Sequence, residues 1–259
     1  MPKSRRYSLT VALLAMMLAA VPVRAADAIT IAVIESGMPL AVRTAENTYS
    51  GIYIDFLDQF SLELDRKTQY VYFPSHRAAK ALGQQQIDMA LMLSSGWRPL
   101  KPAKNTTCLE PSFIKMQANL YQHTTTPPVT SRIATMAPAS DKELGDMLAA
   151  HDMDAFSKHR LQSSKAMFKS LVSDRVDYAL SSDIAEQYWE AVLNERFVVT
   201  KTIDTVEVFL CYANSRFSPK SEQGLKNSYQ RALDKFDLDK VKASYIKPTP
   251  AAPQTTEQP

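Results

Sequence analysis

A short phrase that occurs twice limits what this chain can fold into. Gln86-Ile87-Asp88-Met89-Ala90-Leu91, followed by Ser94-Ser95, returns as Arg175-Val176-Asp177-Tyr178-Ala179-Leu180, followed by Ser181-Ser182. Each copy follows a helix-like segment, carries the apolar run of a strand buried on both faces, and ends in a polar loop. In open parallel sheets, ligands bind outside the carboxyl ends of such strands. Two half-structures of this kind, each offering a serine-rich loop, predict two lobes facing one cleft.

The surrounding pattern agrees. Ile29 to Glu35 reads as a strand, Ile52 to Leu64 as a helix with Ile52, Phe56, Leu57, Phe60 and Leu64 on one face, Gln69 to Phe73 as a second strand and Ala78 to Gln85 as a second helix. With the strand from Ile87 to Leu93 this order implies a mostly parallel sheet flanked by helices. Phe113 to Gln122 reads as another strand, before the stiff connector Thr124-Thr125-Thr126-Pro127-Pro128. Arg132 to Met136 restarts the pattern, with Ser140 and Glu143 spaced as a capping box. Helices over 163–172 and 183–193 flank the second copy of the phrase. Two strand-like runs, 197–202 and 206–213, are separated by Ile203-Asp204-Thr205, and a long helix spans 219–236.

Lys3, Arg5 and Arg6 precede an apolar run from Leu9 to Val23, and Val23-Arg24-Ala25 supplies the small residues of a signal-peptidase site. Cleavage removes four basic residues, so the 30 basic and 27 acidic residues of the whole chain become 26 and 27. The basic balance belongs to the signal, and a nucleic-acid partner loses its support. No cysteine lies near the cleavage point, so a periplasmic protein without a lipid anchor is expected. Cys108 and Cys211 are the only cysteines. An oxidising compartment permits a disulfide, and two separately buried thiols are the alternative.

The order of these elements resembles the family 3 extracellular solute-binding proteins, the polar-amino-acid type that serve ABC importers. The phrases that carry the resemblance are Gly51-Ile52-Tyr53-Ile54-Asp55, Pro74-Ser75-His76-Arg77-Ala78, Ser94-Ser95-Gly96-Trp97-Arg98, Glu110-Pro111-Ser112-Phe113, and Val176 to Asp183. It implies an α/β, two-lobed periplasmic binding protein fold of type II, each lobe a mostly parallel sheet flanked by helices, joined by a two-crossing hinge. The chain then divides into a signal peptide (1–25), the first part of lobe 1 (26–123), a hinge crossing (124–131), lobe 2 (132–202), the return crossing with the rest of lobe 1 (203–246) and a disordered tail (247–259). The family's sheet order also sets the returning strand beside the strand around Phe113, which brings Cys108 and Cys211 into range of a disulfide.

The resemblance implies that Arg98 holds a ligand carboxylate and Asp183 an ammonium group, through charge-assisted hydrogen bonds. Ser94 and Ser95 add donors, and Arg77 is a further cleft candidate. Ala137-Pro138-Ala139-Ser140 stands where members often carry Gly-Thr or Gly-Ser, so Ser140 is the candidate cap of that helix. The first loop, Ser36-Gly37-Met38-Pro39-Leu40, lacks the family's usual aromatic, and Trp97 is the candidate replacement. No metal, cofactor or catalytic residue is expected. His151-Asp152-Met153-Asp154 has no second ligand set, and six glycines leave little for a phosphate cradle. The implied protein is a monomer that binds a small polar ligand for an ABC importer. The alternatives are a partner of a membrane sensor, or a cleft enzyme such as a periplasmic dehydratase using Glu207 or His76.

Overall fold

The computed structural model describes residues 28–34, 36–44, 48–73, 75–96, 99–123, 131–136 and 141–246. The expected signal peptide (1–25), positions 124–130 of the expected crossing and the expected tail (247–259) lie outside the described residues.

The first half starts with β1 (Ile29–Val33), followed by a small antiparallel pair, β2 (Val42–Arg43) and β3 (Tyr49–Ser50). Then come α1 (Ile52–Leu64), β4 (Thr68–Tyr72), α2 (Ser75–Gly83) and β5 (Met89–Ser94). β1 lies between β4 and β5 and is parallel to both. Its side chains alternate between two cores, because successive Cβ atoms of a strand point to opposite faces. Ile31 and Val33, with Met89 and Leu91, meet α1, while Ala32 and Ala90 meet Ala78, Ala81 and Leu82 of α2. Both faces are covered, which is why these strands read as continuous apolar runs.

After β6 (Thr106–Cys108), the long strand β7 (Ile114–Gln122) enters the second half. There β8 (Arg132–Thr135), α3 (Asp141–Ala149), β9 (Ser157–Arg160), α4 (Ser164–Val172), β10 (Tyr178–Ser182) and α5 (Asp183–Leu193) repeat the scheme, with β8 parallel to both β9 and β10. Phe168 and Trp189 build one core under α4 and α5, and Leu144, Met147 and Leu148 build the other under α3. The chain returns in β11 (Val198–Ala213) and ends in α6 (Pro219–Lys235) and α7 (Leu238–Ile246). Helix α6 packs Tyr229 edge-on to Phe56, which stacks on Phe113 with ring centroids 4.3 Å apart. Phe56 is fully buried, and truncation of such a residue to alanine costs about 3–5 kcal/mol.

The sheet order is β4-β1-β5-β11-β7-β10-β8-β9, with β6 also on β11. Two antiparallel strands therefore run through both halves. Ile114 and Met116 of β7 face Val208 and Val206 of β11 on the first-half side, whereas Leu120 and Tyr121 also pair with β10. β7 thus runs from the first half into the second. β11 is one 16-residue strand rather than the expected two, because β7 offers it a continuous partner. The pairing register shifts between Val199 and Lys201 and again between Thr202 and Asp204, the second shift falling where the sequence suggests a break. Such bulges bend a strand without ending it.

The repeated aspartate has one task in both halves. Asp88 accepts the Thr30 N–H of β1 at 2.8 Å, and Asp177 accepts the Arg132 N–H of β8 at 2.7 Å. Each fastens the strand that carries the phrase to the strand that opens its half. Cys108 and Cys211 lie opposite each other on β6 and β11 and are joined in a disulfide.

Candidate functional site

The carboxyl ends of β1, β5, β8 and β10 converge on a cavity of ≈ 180 Å³ between the halves. Ser94 and Ser95 line it from one side, and Ser181 and Ser182 from the other. Both copies of the repeated phrase therefore deliver their serines to the same space. Met116 and Ala118 of β7 and Ile203 and Val206 of β11, in the strands that join the halves, form its floor.

Local chemistry places these groups. The Ser94 hydroxyl accepts the Leu100 N–H at 3.0 Å, which ties Leu100 to the end of β5. Ser182 is the N-cap of α5 and accepts the Ala185 N–H at 3.2 Å; Ser163 does the same for α4 from Ala166 at 3.1 Å. Serine suits this position because its oxygen satisfies a donor that the helix leaves without an acceptor. Ser164, Met167 and Ala185 in the first turns of α4 and α5 thus border the cavity. Each helix directs the positive end of its dipole toward it.

The halves also touch across the opening. Gly37, with φ +77°, lies so close to α4 that a Cβ there would stand 2.5 Å from the Ser164 Oγ and 3.6 Å from the Met136 methyl. Met38 packs on the second half's core, and Ile184 of α5 on the first half's. Only a residue without a side chain permits this approach at that backbone angle.

Tyr53, in the first turn of α1, lines the cavity and is 1% exposed. Its hydroxyl has no hydrogen-bond partner among the described residues. Ser36 lies beside it, but its hydroxyl is directed to the Ile34 carbonyl at 3.3 Å, and the two do not reach hydrogen-bonding geometry. Burial raises the Tyr53 pKa far above the ordinary phenol range, so the group is a neutral donor and acceptor at any physiological pH.

The expected site residues divide. Ser94 and Ser95 line the cavity. Arg77 is exposed on α2 and is not among its lining residues. Asp183 is not among them either; its Oδ1 accepts the Gln117 N–H of β7 at 3.1 Å and the Ile184 N–H at 2.9 Å. Trp97, Arg98 and Ser140 lie outside the described residues. Sequence reasoning did not single out Tyr53, Ser36, Thr135, Met136, Ser164 or Met167, all of which line the cavity. Ser163-Ser164 before an apolar helix was a usable N-cap signal, whereas Tyr53 shares its spacing with the core face of α1. Among the described residues no group of three or more His, Cys, Asp or Glu side chains is placed to hold a metal ion, and no helix is long and apolar enough to cross a membrane.

No protein-family model matches the chain, and no curated protein is detectably similar to it in sequence. Solved structures do match. The GluR0 ligand-binding core in complex with L-glutamate aligns with a TM-score of 0.65 at 14% identity, covering 86% of this chain and 99% of that one. A putative L-cystine ABC transporter protein from Listeria monocytogenes gives a TM-score of 0.65 at 12% identity over 85% and 96%. The chain has the two-lobed periplasmic binding protein fold. An ancestral amino acid-binding protein, described as a precursor of cyclohexadienyl dehydratase, shares this fold with a TM-score of 0.61 at 13% identity over 85% and 96%. In the two-lobed frame, the cavity is the interlobe cleft and β7 and β11 are the hinge strands.

Proposed function

We propose that this chain is a family 3 solute-binding protein, exported to the periplasm, that captures an amino acid or a related small compound in the interlobe cleft and delivers it to an ABC importer. The observation that carries this reading is the placement of the cavity. It lies between two separately cored lobes, at the carboxyl ends of their parallel strands, and two long strands form its floor and connect the lobes. Ligand held between such lobes favours the closed arrangement by as much as it binds that arrangement better.

A thermal-shift screen of residues 26–259 against amino acids, amines and organic acids tests the reading. A ligand at 100 times its Kd adds about 2.7 kcal/mol of stability, and the same ligand is expected to compact the protein in small-angle scattering. Recovery of the ligand unchanged after long incubation separates a binding protein from a dehydratase. Loss of uptake on deletion, with signalling intact, separates an importer subunit from a sensor partner. Chemical conversion of the ligand, or identical scattering at saturation, refutes the proposal.

A further inference from the structure

The helix α7 touches both lobes. It packs on α1 of the first lobe and on α5 of the second. On the first-lobe side Leu238, Val241 and Tyr245, which share one face of the helix, lie on the core that holds Phe56 and Phe113. The Tyr245 hydroxyl fastens that side: it donates to the Asp55 carboxylate at 2.9 Å and accepts the Gly51 N–H at 3.1 Å. On the second-lobe side Ile246 borders a surface cavity together with Gln187, Glu190 and Ala191 of α5.

The place that Tyr245 fastens is the one from which the first lobe reaches across the cleft. Gly51 and Asp55 stand at the start of α1, where the Ile52 and Tyr53 N–H groups hold the Pro39 and Leu40 carbonyls at 2.9 Å. Those carbonyls belong to the loop whose Gly37 meets Ser164 of α4. α7 is thus linked to the second lobe twice, directly at α5 and through α1 and the 37–40 loop at α4.

A helix of nine residues is marginal by itself, and none of the residues of α7 is fully enclosed, so its hold comes from the two surfaces beneath it. Rotation of the lobes about β7 and β11 carries α5 away from a helix tied to the other lobe. A contact made in one arrangement favours that arrangement by as much as is lost in the other.

We propose that α7 is a strap, tied to the first lobe by Tyr245 and set against α5 of the second, that favours the arrangement in which the lobes touch at Gly37 and Ser164 before any ligand is bound. This goes beyond the solute-binding reading and needs only the two-lobed fold.

The charge on α5 gives a test whose two arms differ in sign. Glu190 and Glu195 lie at the same cavity as Ile246, and the last carbonyls of α5 add the negative end of its dipole. Arg196 pairs with Glu190 at 3.3 Å and His123 with Glu195 at 3.1 Å, but the Arg196 side chain is 89% exposed and its charge is largely screened. Asp239 and Lys242 of α7 pair with each other at 3.3 Å. Ile246→Glu and Ile246→Lys both lose the isoleucine and differ in charge.

Nitroxide labels on Leu62→Cys and Lys169→Cys, exposed positions of α1 and α4, report the distance between the lobes by pulsed electron paramagnetic resonance in the unliganded full chain with its disulfide intact. The longer-distance population is expected to be about 2- to 5-fold larger in Ile246→Glu than in Ile246→Lys, and larger in Tyr245→Phe than in the labelled parent. Val192→Glu, on α5 but away from that cavity, should match the parent. Equal populations in the two Ile246 variants, or an equal gain in Val192→Glu, overturn the strap. A folded Tyr245→Phe with the parent's distribution overturns it as well; if that variant does not fold, the Ile246 pair decides.

Discussion

Reduction of the Cys108–Cys211 disulfide should destabilise the protein without disturbing its native packing. The bond joins residues 103 positions apart, and the loop it closes contains β7, the whole second lobe and most of β11. Its ends lie on β6 and β11, so it fastens both interlobe passages at their first-lobe end. In the folded state the two strands are already paired, and Cys211 is 1% exposed in the core beside Ala32 and Ala90. The reduced thiols therefore stay where they are, and the effect falls on the unfolded chain. For a loop of about 100 residues the chain-entropy model gives about 4.7 kcal/mol at 25 °C. Residual structure in the unfolded chain lowers this, so about 3–5 kcal/mol is expected, or on the order of 10 °C in melting temperature for a chain of this size. Urea unfolding with and without reductant, combined with mass mapping of alkylated cysteines, is the assay. The midpoint should fall and the denaturant slope should rise, since an unlinked chain exposes more surface on unfolding. Superimposable curves for verified oxidised and reduced samples, or two alkylatable thiols in the unreduced protein, would refute the reasoning.

Four further outcomes are expected. Gly37→Ala places a methyl group against Ser164 at a backbone angle that alanine rarely adopts, so calorimetry should show binding weakened about 10-fold, and scattering a less compact liganded state. Glu186 is pushed up to about 7 by burial first and by the neighbouring Glu190 charge second, with Asp183 adding to the rise and Arg196 opposing it. The folded state thus holds a proton that the unfolded state gives up, and stability falls as pH rises from about 4.5 to about 7; Glu186→Gln should flatten that slope in urea titrations and raise stability at pH 8, whereas parallel pH profiles would contradict it. Asp183→Asn keeps an acceptor for the Gln117 and Ile184 N–H groups and should change unliganded stability by less than about 1 kcal/mol, while Asp183→Ala should lose about 1–3 kcal/mol; Arg98→Ala, proposed to remove the carboxylate contact, should weaken binding roughly 30-fold in calorimetry.

What was legible in the sequence follows from where each segment's energy comes from. The repeated phrase could be read because its residues are fixed twice over, by burial on both sheet faces and by the Asp88 and Asp177 carboxylates that hold the opening strands. Its serines were traceable to the cleft because parallel strands release their chains at one edge. β9 was invisible for the opposite reason: Ser157-Lys158-His159-Arg160 is exposed throughout and is a strand only because β8 offers it backbone partners. The apparent break in β11 is a property of Ile203-Asp204-Thr205 alone, and the continuous neighbour β7 overrides it with bulges. Tyr53 escaped notice because hydrophobic periodicity records which face of a helix is buried and not what it is buried against. It shares that face with Ile52 and Phe56, yet they complete the first-lobe core, and only Tyr53 also borders the cleft. Fold and cleft are therefore encoded at different ranges here. The lobes are written in local patterns that each half repeats, whereas the cleft exists only where two halves, separated by about 90 residues of sequence in the repeated phrase, are brought together by the strands that join them.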